Sequence, residues 1–509
     1  MRRKKIKNVV LLIILTLIVT MLVAYGSAAD GWVEIVIAQN ADAYSMDPQK
    51  QSDTKTGNIL NNMFDALLLR DKDMSIKPLL ATEYKQISDT EWELKLREGI
   101  KFHNGEDFNA EAVKFTFDRI IDPETKSLQI AYFRNISCEV IDEYTVKFTT
   151  PALDPLFLAR MTNLLILPPK YINEKGDGYF AQKPVGTGPF TFVEWVKDDR
   201  VVMEANPDYF LGKPEVDRVV WKAIPEVSTQ IAGLLSQQID LLPEISSDQI
   251  STLEANDKVK INTTPSARIQ MVNFNTYTEL GKNKDFRLAV AYAINREPIA
   301  KELLSGYAEP IDIPISSVIP NIPKDIKWIP YDVEKGKEAL VRAGYPNGID
   351  IEIDCQNGVA PFDRDIAQVI AQQLSEVGIR ATIRPNESGN HTDLIKSKTI
   401  SPVYMESGNN VWFDIDPQAV AFYGTDGALS TYSNPRYDEL VKRGSAITNV
   451  SERTAIYNEA YLTLLDDVGG IPIIQYQLIG ATSSKILWTP RPDGRIRVSE
   501  ISINPSSPK

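Results

Sequence analysis

Catalytic raw material is scarce in this chain. Its 509 residues include two histidines, His103 and His391, and two cysteines, Cys138 and Cys355. Neither histidine has a partner at the His-Glu-x-x-His spacing that would hold zinc, and no Gly-x-Ser-x-Gly nucleophile turn occurs. Paired carboxylates such as Glu91 and Glu93 fall on the polar face of one strand, where solvation accounts for them. The two thiols lie far apart, each in an apolar strand-like context. Both are expected to be buried and free, although export would permit a disulfide. No metal or other cofactor is expected.

Positive charge is also in deficit. Lysine and arginine number 55 against 68 acids, a net charge of −13, and the first 29 residues hold five of the cations and no acid. Without that segment the chain carries 50 basic and 68 acidic residues, or −18. A broad basic face for nucleic acid is therefore excluded. A well-hydrated surface is a simpler account of the acidity than attraction to a cationic ligand. Short repeats and low-complexity linkers are absent too, and the length suits two or three domains with ample cores.

The N-terminus is read as residues 1–29 of an export signal. Arg2, Arg3, Lys4, Lys5 and Lys7 precede an uncharged run from Val9 to Ala24, and the small residues Gly26, Ser27, Ala28 and Ala29 offer cleavage after Ala28 or Ala29. The run is long for a signal and short for a spanning helix, so an uncleaved anchor stays open. Leu22 to Ser27 resembles a bacterial lipobox with Tyr25 in place of the required cysteine. Without a thiol there, the chain is expected to be exported but not lipidated.

The clearest local pattern runs from Glu91 to Arg119. Trp92, Leu94 and Leu96 alternate with Glu93, Lys95 and Arg97, the period of a half-buried strand. Glu98-Gly99 and Asn104-Gly105 mark turns, and Asn109 caps a helix whose Val113, Phe117 and Ile120 share one face. Hairpins are predicted over Tyr84–Leu96 and Cys138–Thr149. Gly186-Thr187-Gly188-Pro189 looks like a phosphate loop at first. Pro189 lacks a backbone donor, no helix follows, and no Gly-Lys-Ser/Thr appears, so a tight lead-in to a strand is the better reading. In the second half, a helix begins near Asp285 and Asn295 caps another through Leu304. Ile349–Ile353, a helix bearing Ile366, Ile370 and Leu374, and Ile379–Arg384 form a βαβ unit. A final helix covers Ser451–Asp467.

The Glu91–Arg119 segment closely resembles the signature of the family 5 solute-binding proteins, the extracytoplasmic receptors of peptide and nickel ABC importers. Ala112 stands where an acid is usual. The stretch from Gly186 to Phe210 and the stretch from Asn275 to Arg296 resemble two further landmarks of that family. The resemblance covers nearly the whole chain after the signal. It implies an α/β fold of two lobes, type II-like, closing on ligand about a hinge, with an extra α+β domain on lobe I. By that analogy lobe I takes in 30–64, 183–267 and 478–509, the accessory domain 65–182, and lobe II 268–477, with hinge strands near 268 and 477.

The resemblance also points to ligand-binding residues. Relatives that bind peptides carry a tryptophan and an Asp/Glu-Pro loop in lobe II, one aspartate pairing with the peptide ammonium. Here the loop contains Asn410, Trp412, Phe413, Asp414 and Asp416. Anchored on Asp416-Pro417 without gaps, the ammonium position falls on Phe413; a one-residue deletion moves it to Asp414. Asp414 and Asp416 both remain candidates. For the ligand carboxylate, Arg380 and Arg384 are candidates on the polar face of one strand, against the alternative of a solvent-facing edge. Tyr44 and Ser45 match a loop that lines the cleft in relatives, and His391, in the polar loop Ser388–Thr392, is a further ligand-contact candidate. The implied function is capture of a peptide or similar small polar solute and delivery to membrane permease subunits by a monomeric receptor. Nickel-chelate, glutathione-like or sugar-conjugate ligands are alternatives, and an enzyme or adhesin on the same fold is the competing class.

Overall fold

The computed structural model describes residues 32–506, so the export segment lies outside the described residues. Two long strands, Val259–Phe274 and Gly470–Ser483, run antiparallel through the middle of an 11-stranded sheet. One half of this pair joins Leu241–Leu242, Glu34–Gln39, Arg218–Ala223, Arg200–Ala205 and Phe190–Val196. The other half joins Val403–Asn409, Ile349–Gln356 and Ile379–Asn386. Among the described residues the two lobes therefore share a sheet only through these two strands.

Their ladder breaks at the junction. Pro265 pairs with Gln477 and Ile269 with Gln475, so three residues, Ser266–Arg268, bulge out against one on the partner strand. Proline has no N–H to continue the ladder, and a bulge bends the strand that carries it. The bend falls where the lobes meet.

Lobe II contains the βαβ unit. Ile349 pairs with Ile379 in a parallel ladder, and the helix Asp363–Glu376 crosses over it with Ile366, Ala367, Ile370 and Leu374 buried. The helix expected near Asp285 spans Lys284–Ala293 and is capped by Asn283, whose carboxamide oxygen accepts from Phe286 N at 3.2 Å. The helix expected to run from Asn295 through Leu304 is instead a short turn, Arg296–Pro298, continued by a π-helical turn over Ile299–Leu303. Pro298 cannot donate to the helical ladder at that point. The last helix, Val450–Asp466, packs on Pro435–Gly444.

A separate four-stranded sheet, ordered Ala81–Gln86, Glu91–Leu96, Thr145–Thr149, Ser137–Asp142, carries the helix Ala110–Ile121. Its core is aromatic: Trp92 stacks on Phe157 at 5.1 Å, and Phe117 meets Phe133 and Phe148 edge-on. Each fully buried side chain of this size contributes about 1.5–3 kcal/mol. His103 links this unit to lobe I. Its Nδ1 accepts from Gly186 N at 3.3 Å, so Nε2–H donates to Gly188 O at 2.9 Å, the arrangement of a neutral ring. The Gly186–Gly188 segment lies flat on residues 62–64; a Cβ on Gly188 would sit 2.6 Å from the Met63 carbonyl carbon. Glycine is needed there for close approach, not for phosphate binding.

The thiols are free and buried in different cores, Cys138 with the accessory sheet and Cys355 in lobe II. Burial pushes Cys138 up to about 12 and Cys355 up to about 11, so both stay protonated and unreactive.

Candidate functional site

A cleft of about 870 Å³ opens between the lobes. Its floor is the bulged hinge, Ser266–Arg268, with Tyr476–Leu478 beside it. Lobe I contributes Gln51, Asp53 and Lys55, the accessory unit Arg70 and Tyr132, and lobe II Val359, Asn409, Trp412 and Phe413.

The lobe II loop is shaped by its own polar groups. After the strand Val403–Asn409, Asn410 donates from its side chain to Asp414 O at 2.6 Å, and Phe413 takes a left-handed backbone with φ of 51°. This turn aims Trp412 and Phe413 into the cleft and turns Asn410 away from it. Asp414 caps the helix Ile415–Tyr423, accepting from Asp416 N at 2.9 Å. Its carboxylate also receives both Nη1 and Nη2 of Arg453 at 2.7 Å. Asp416 accepts from the hydroxyls of Tyr457 and Ser445. Neither carboxylate lines the cleft. Both candidates are engaged behind the loop instead, Asp414 by Arg453 and Asp416 through Oδ1 by Tyr457 and Ser445.

Across the cleft, the loop is gripped by the first half of the chain. Arg70 Nη2 donates to Trp412 O at 2.8 Å and its Nη1 to Met74 O at 2.8 Å, while the guanidinium lies 5.2 Å from the Phe413 ring. Met74 is buried among lobe II side chains. The Trp412 indole stands edge-on to Tyr132 at 5.1 Å and carries the Arg160 guanidinium 5.1 Å from its ring. Arg160 is itself fixed by Asp154 at 2.9 Å and Tyr132 O at 3.0 Å. These are cation–π and quadrupolar contacts, worth roughly 0.5–2 kcal/mol each.

The remaining sequence candidates lie elsewhere. Arg380 pairs with Asp350 at 2.5 Å, and Arg384 with Asp354 at 2.6 Å and Glu352 at 3.2 Å, which join the edge strand of lobe II to the strand beside it. Tyr44 is exposed away from the cleft, and Ser45 accepts from Asp47 N at 3.1 Å within its own turn. His391 is not in a loop. It lies in the helix Ser388–Lys396, wholly buried, with Nε2 3.0 Å from Glu406. Burial raises the Glu406 carboxyl above its ordinary range, opposed by His391.

Several cleft groups carried no sequence signal. Gln51 Oε1 is buried with no partner and lines the cleft. Arg268, on the bulge, donates to Val359 O at 3.2 Å and Ser407 Oγ at 3.3 Å. Arg495 donates to Thr162 O and Asn163 Oδ1. Burial, with repulsion from Arg495 next, pushes Arg70 down to about 10, still cationic at neutral pH. Position at the predicted hinge could have drawn attention to Arg268; nothing in the sequence marks Arg70 or Arg495.

Known proteins resemble this chain in sequence and fold. The glutathione-binding protein GsiB of Pectobacterium atrosepticum is 28% identical over 471 residues, covering 89% of this chain and 90% of that protein. HbpA2 from Haemophilus parasuis superposes with a TM-score of 0.85 at 20% identity, covering 92% of this chain and 99% of that one. DppA from Helicobacter pylori, solved in complex with the peptide STSA, gives a TM-score of 0.69 at 25% identity over 92% and 98%. The family model described as bacterial extracellular solute-binding proteins, family 5 middle, matches residues 75–430. The chain belongs to the family 5 bacterial extracellular solute-binding proteins.

Proposed function

We propose that this protein captures a small peptide between its lobes, outside the cytoplasmic membrane, and presents it to the permease subunits of an ABC importer without chemically altering it. The observation that carries the reading is the cleft itself. Two lobes joined by only two strands enclose a space of about 870 Å³, within the range that takes a small ligand. Its walls mix aromatic rings, amides and guanidinium groups. A glutathione-binding relative and a peptide-bound structural neighbour support a peptide ligand. The relative's name favours a glutathione-like peptide as the second reading. A nickel chelate is less well supported, because no histidine lines the cleft among the described residues.

In this account lobe I is 30–64, 183–267 and 478–509, the accessory domain 65–182, and lobe II 268–477. Bending at the bulge opposite Gln475–Gln477 moves the lobes, and contacts made only when closed shift the population toward the closed form. The receptor acts as a monomer, exported through residues 1–29 and left without a lipid anchor. Native mass spectrometry of protein purified without denaturation should release peptide masses. Thermal-shift screening of di- to pentapeptides should stabilise the fold; stabilisation by some other solute and by no peptide would overturn the peptide reading.

A further inference from the structure

The cleft is cationic in a protein that is strongly anionic. Its charged lining consists of Lys55, Arg70, Arg268, Arg491 and Arg495 against Asp53, Glu244 and Asp493. Two of the three acids are paired with a cation, while the third, Asp53, caps a helix and keeps its charge. Glu244 pairs with Lys55 at 3.4 Å, Asp493 with Arg491 at 2.9 Å, and Asp53 accepts from Thr56 N at 2.7 Å as a helix cap. The guanidinium groups of Arg70, Arg268 and Arg495 form no ion pair within 4 Å among the described residues, although the charge of Asp493 reaches Arg70 and Arg495 from further off. Their partners are carbonyl, hydroxyl and amide oxygens of Met74, Trp412, Val359, Ser407, Thr162 and Asn163. Neutral partners orient a guanidinium but leave its charge uncompensated.

These cations form two groups. Arg70 and Arg495 both sit on the lobe I side, near enough for Arg495 to lower the Arg70 pKa, with Asp493 and Asp414 opposing it. Arg268 rises from the hinge bulge and is held to lobe II through Val359 and Ser407. Gln51 Oε1, buried and unpartnered, supplies an acceptor on the same cleft.

We propose that Arg268 and the Arg70–Arg495 pair form a two-part anion site that selects peptides carrying more carboxylates than ammonium groups. One ligand carboxylate meets Arg268 and a second meets Arg70 and Arg495, while an amide N–H of the ligand donates to Gln51. A guanidinium takes a carboxylate through two parallel hydrogen bonds, and both members are strengthened by exclusion of water. Because one carboxylate is held from each side, such a ligand draws the lobes together, and a neutral peptide does so less. This rests on the peptide reading and adds its charge.

The test is isothermal titration of the full chain, freed of co-purified solute, with Ala-Ala-Lys, Ala-Ala-Ala, Ala-Ala-Glu and Glu-Ala-Glu. Affinity should rise at least tenfold from Ala-Ala-Ala to the better acidic peptide, fall for Ala-Ala-Lys, and the acidic preference should shrink as salt goes from 50 to 500 mM. Arg268→Gln should remove most of that preference, and Arg268→Lys should keep part of it. Equal affinity across the series, or a preference for Ala-Ala-Lys, would overturn the anion site while leaving a peptide receptor. Binding of a free dicarboxylate such as succinate with no binding of any peptide would support the anion site and overturn the peptide reading. The wild-type series needs no variant to fold.

Discussion

Arg453 and Arg268 flank the same loop and live in different company. Arg453 is turned away from the cleft and holds the Asp414 carboxylate with both terminal nitrogens, its ring-like plane resting 5.5 Å from Tyr457. Arg268 faces the cleft, and among the described residues its guanidinium donates to a carbonyl and a hydroxyl. The first arginine is compensated and belongs to the architecture that shapes the loop. The second has no ion-pair partner within 4 Å among the described residues. The general lesson is that a ligand site is marked less by the presence of charged residues than by which of them the fold leaves without a counter-charge.

The comparison can be broken from either side. Asp414→Ala should destabilise the protein by about 3 kcal/mol in urea unfolding, because it strands a partly buried guanidinium and removes a helix cap. Ligand affinity of the folded fraction should change less than threefold. Collapse of affinity with stability intact would return Asp414 to the ligand. Arg268→Gln should do the reverse, costing only about 1 kcal/mol of stability for two neutral hydrogen bonds.

His103 offers a pH test of another internally satisfied group. Burial lowers its pKa from the ordinary 6.5 to about 4, against the pull of its bond to Gly188. Between those values the unfolded chain binds the proton more readily, so stability falls as pH drops from 6.5 and levels off below about 4. The loss should approach roughly 3 kcal/mol, and His103→Gln should flatten that part of the profile if its own stability permits folding. An unchanged profile in the variant would assign the acid sensitivity elsewhere. A further test concerns the cross-cleft contact. Trp412→Ala removes its ring from Arg160 and Tyr132 and should weaken ligand binding by about tenfold, or about 1.4 kcal/mol, in titration. An unaltered affinity would make Trp412 a bystander.

Regular elements were legible because their patterns are local. Trp92, Leu94 and Leu96 alternate, Ile366, Ile370 and Leu374 recur at helical spacing, and the structure buries each of these sets. His391 was not legible: Ser-Gly-Asn-His-Thr is poor helical material, and tertiary burial against Glu406 overrides its propensity. The loop around Trp412 was found as a loop, and its two aromatic residues do line the cleft. Its acids were misassigned because their partners, Arg453, Tyr457 and Ser445, come from later helices. The cleft cations were invisible for the same reason. Arg70, Arg268 and Arg495 become a group only when the two long strands bring the lobes to one place.

The most direct test of this account is the affinity of the unmodified protein for Ala-Ala-Glu and Ala-Ala-Lys, measured side by side at 50 mM salt. A receptor whose cleft holds uncompensated arginines should bind the acidic peptide at least tenfold more tightly. Equal binding, or tighter binding of the lysine peptide, would contradict it.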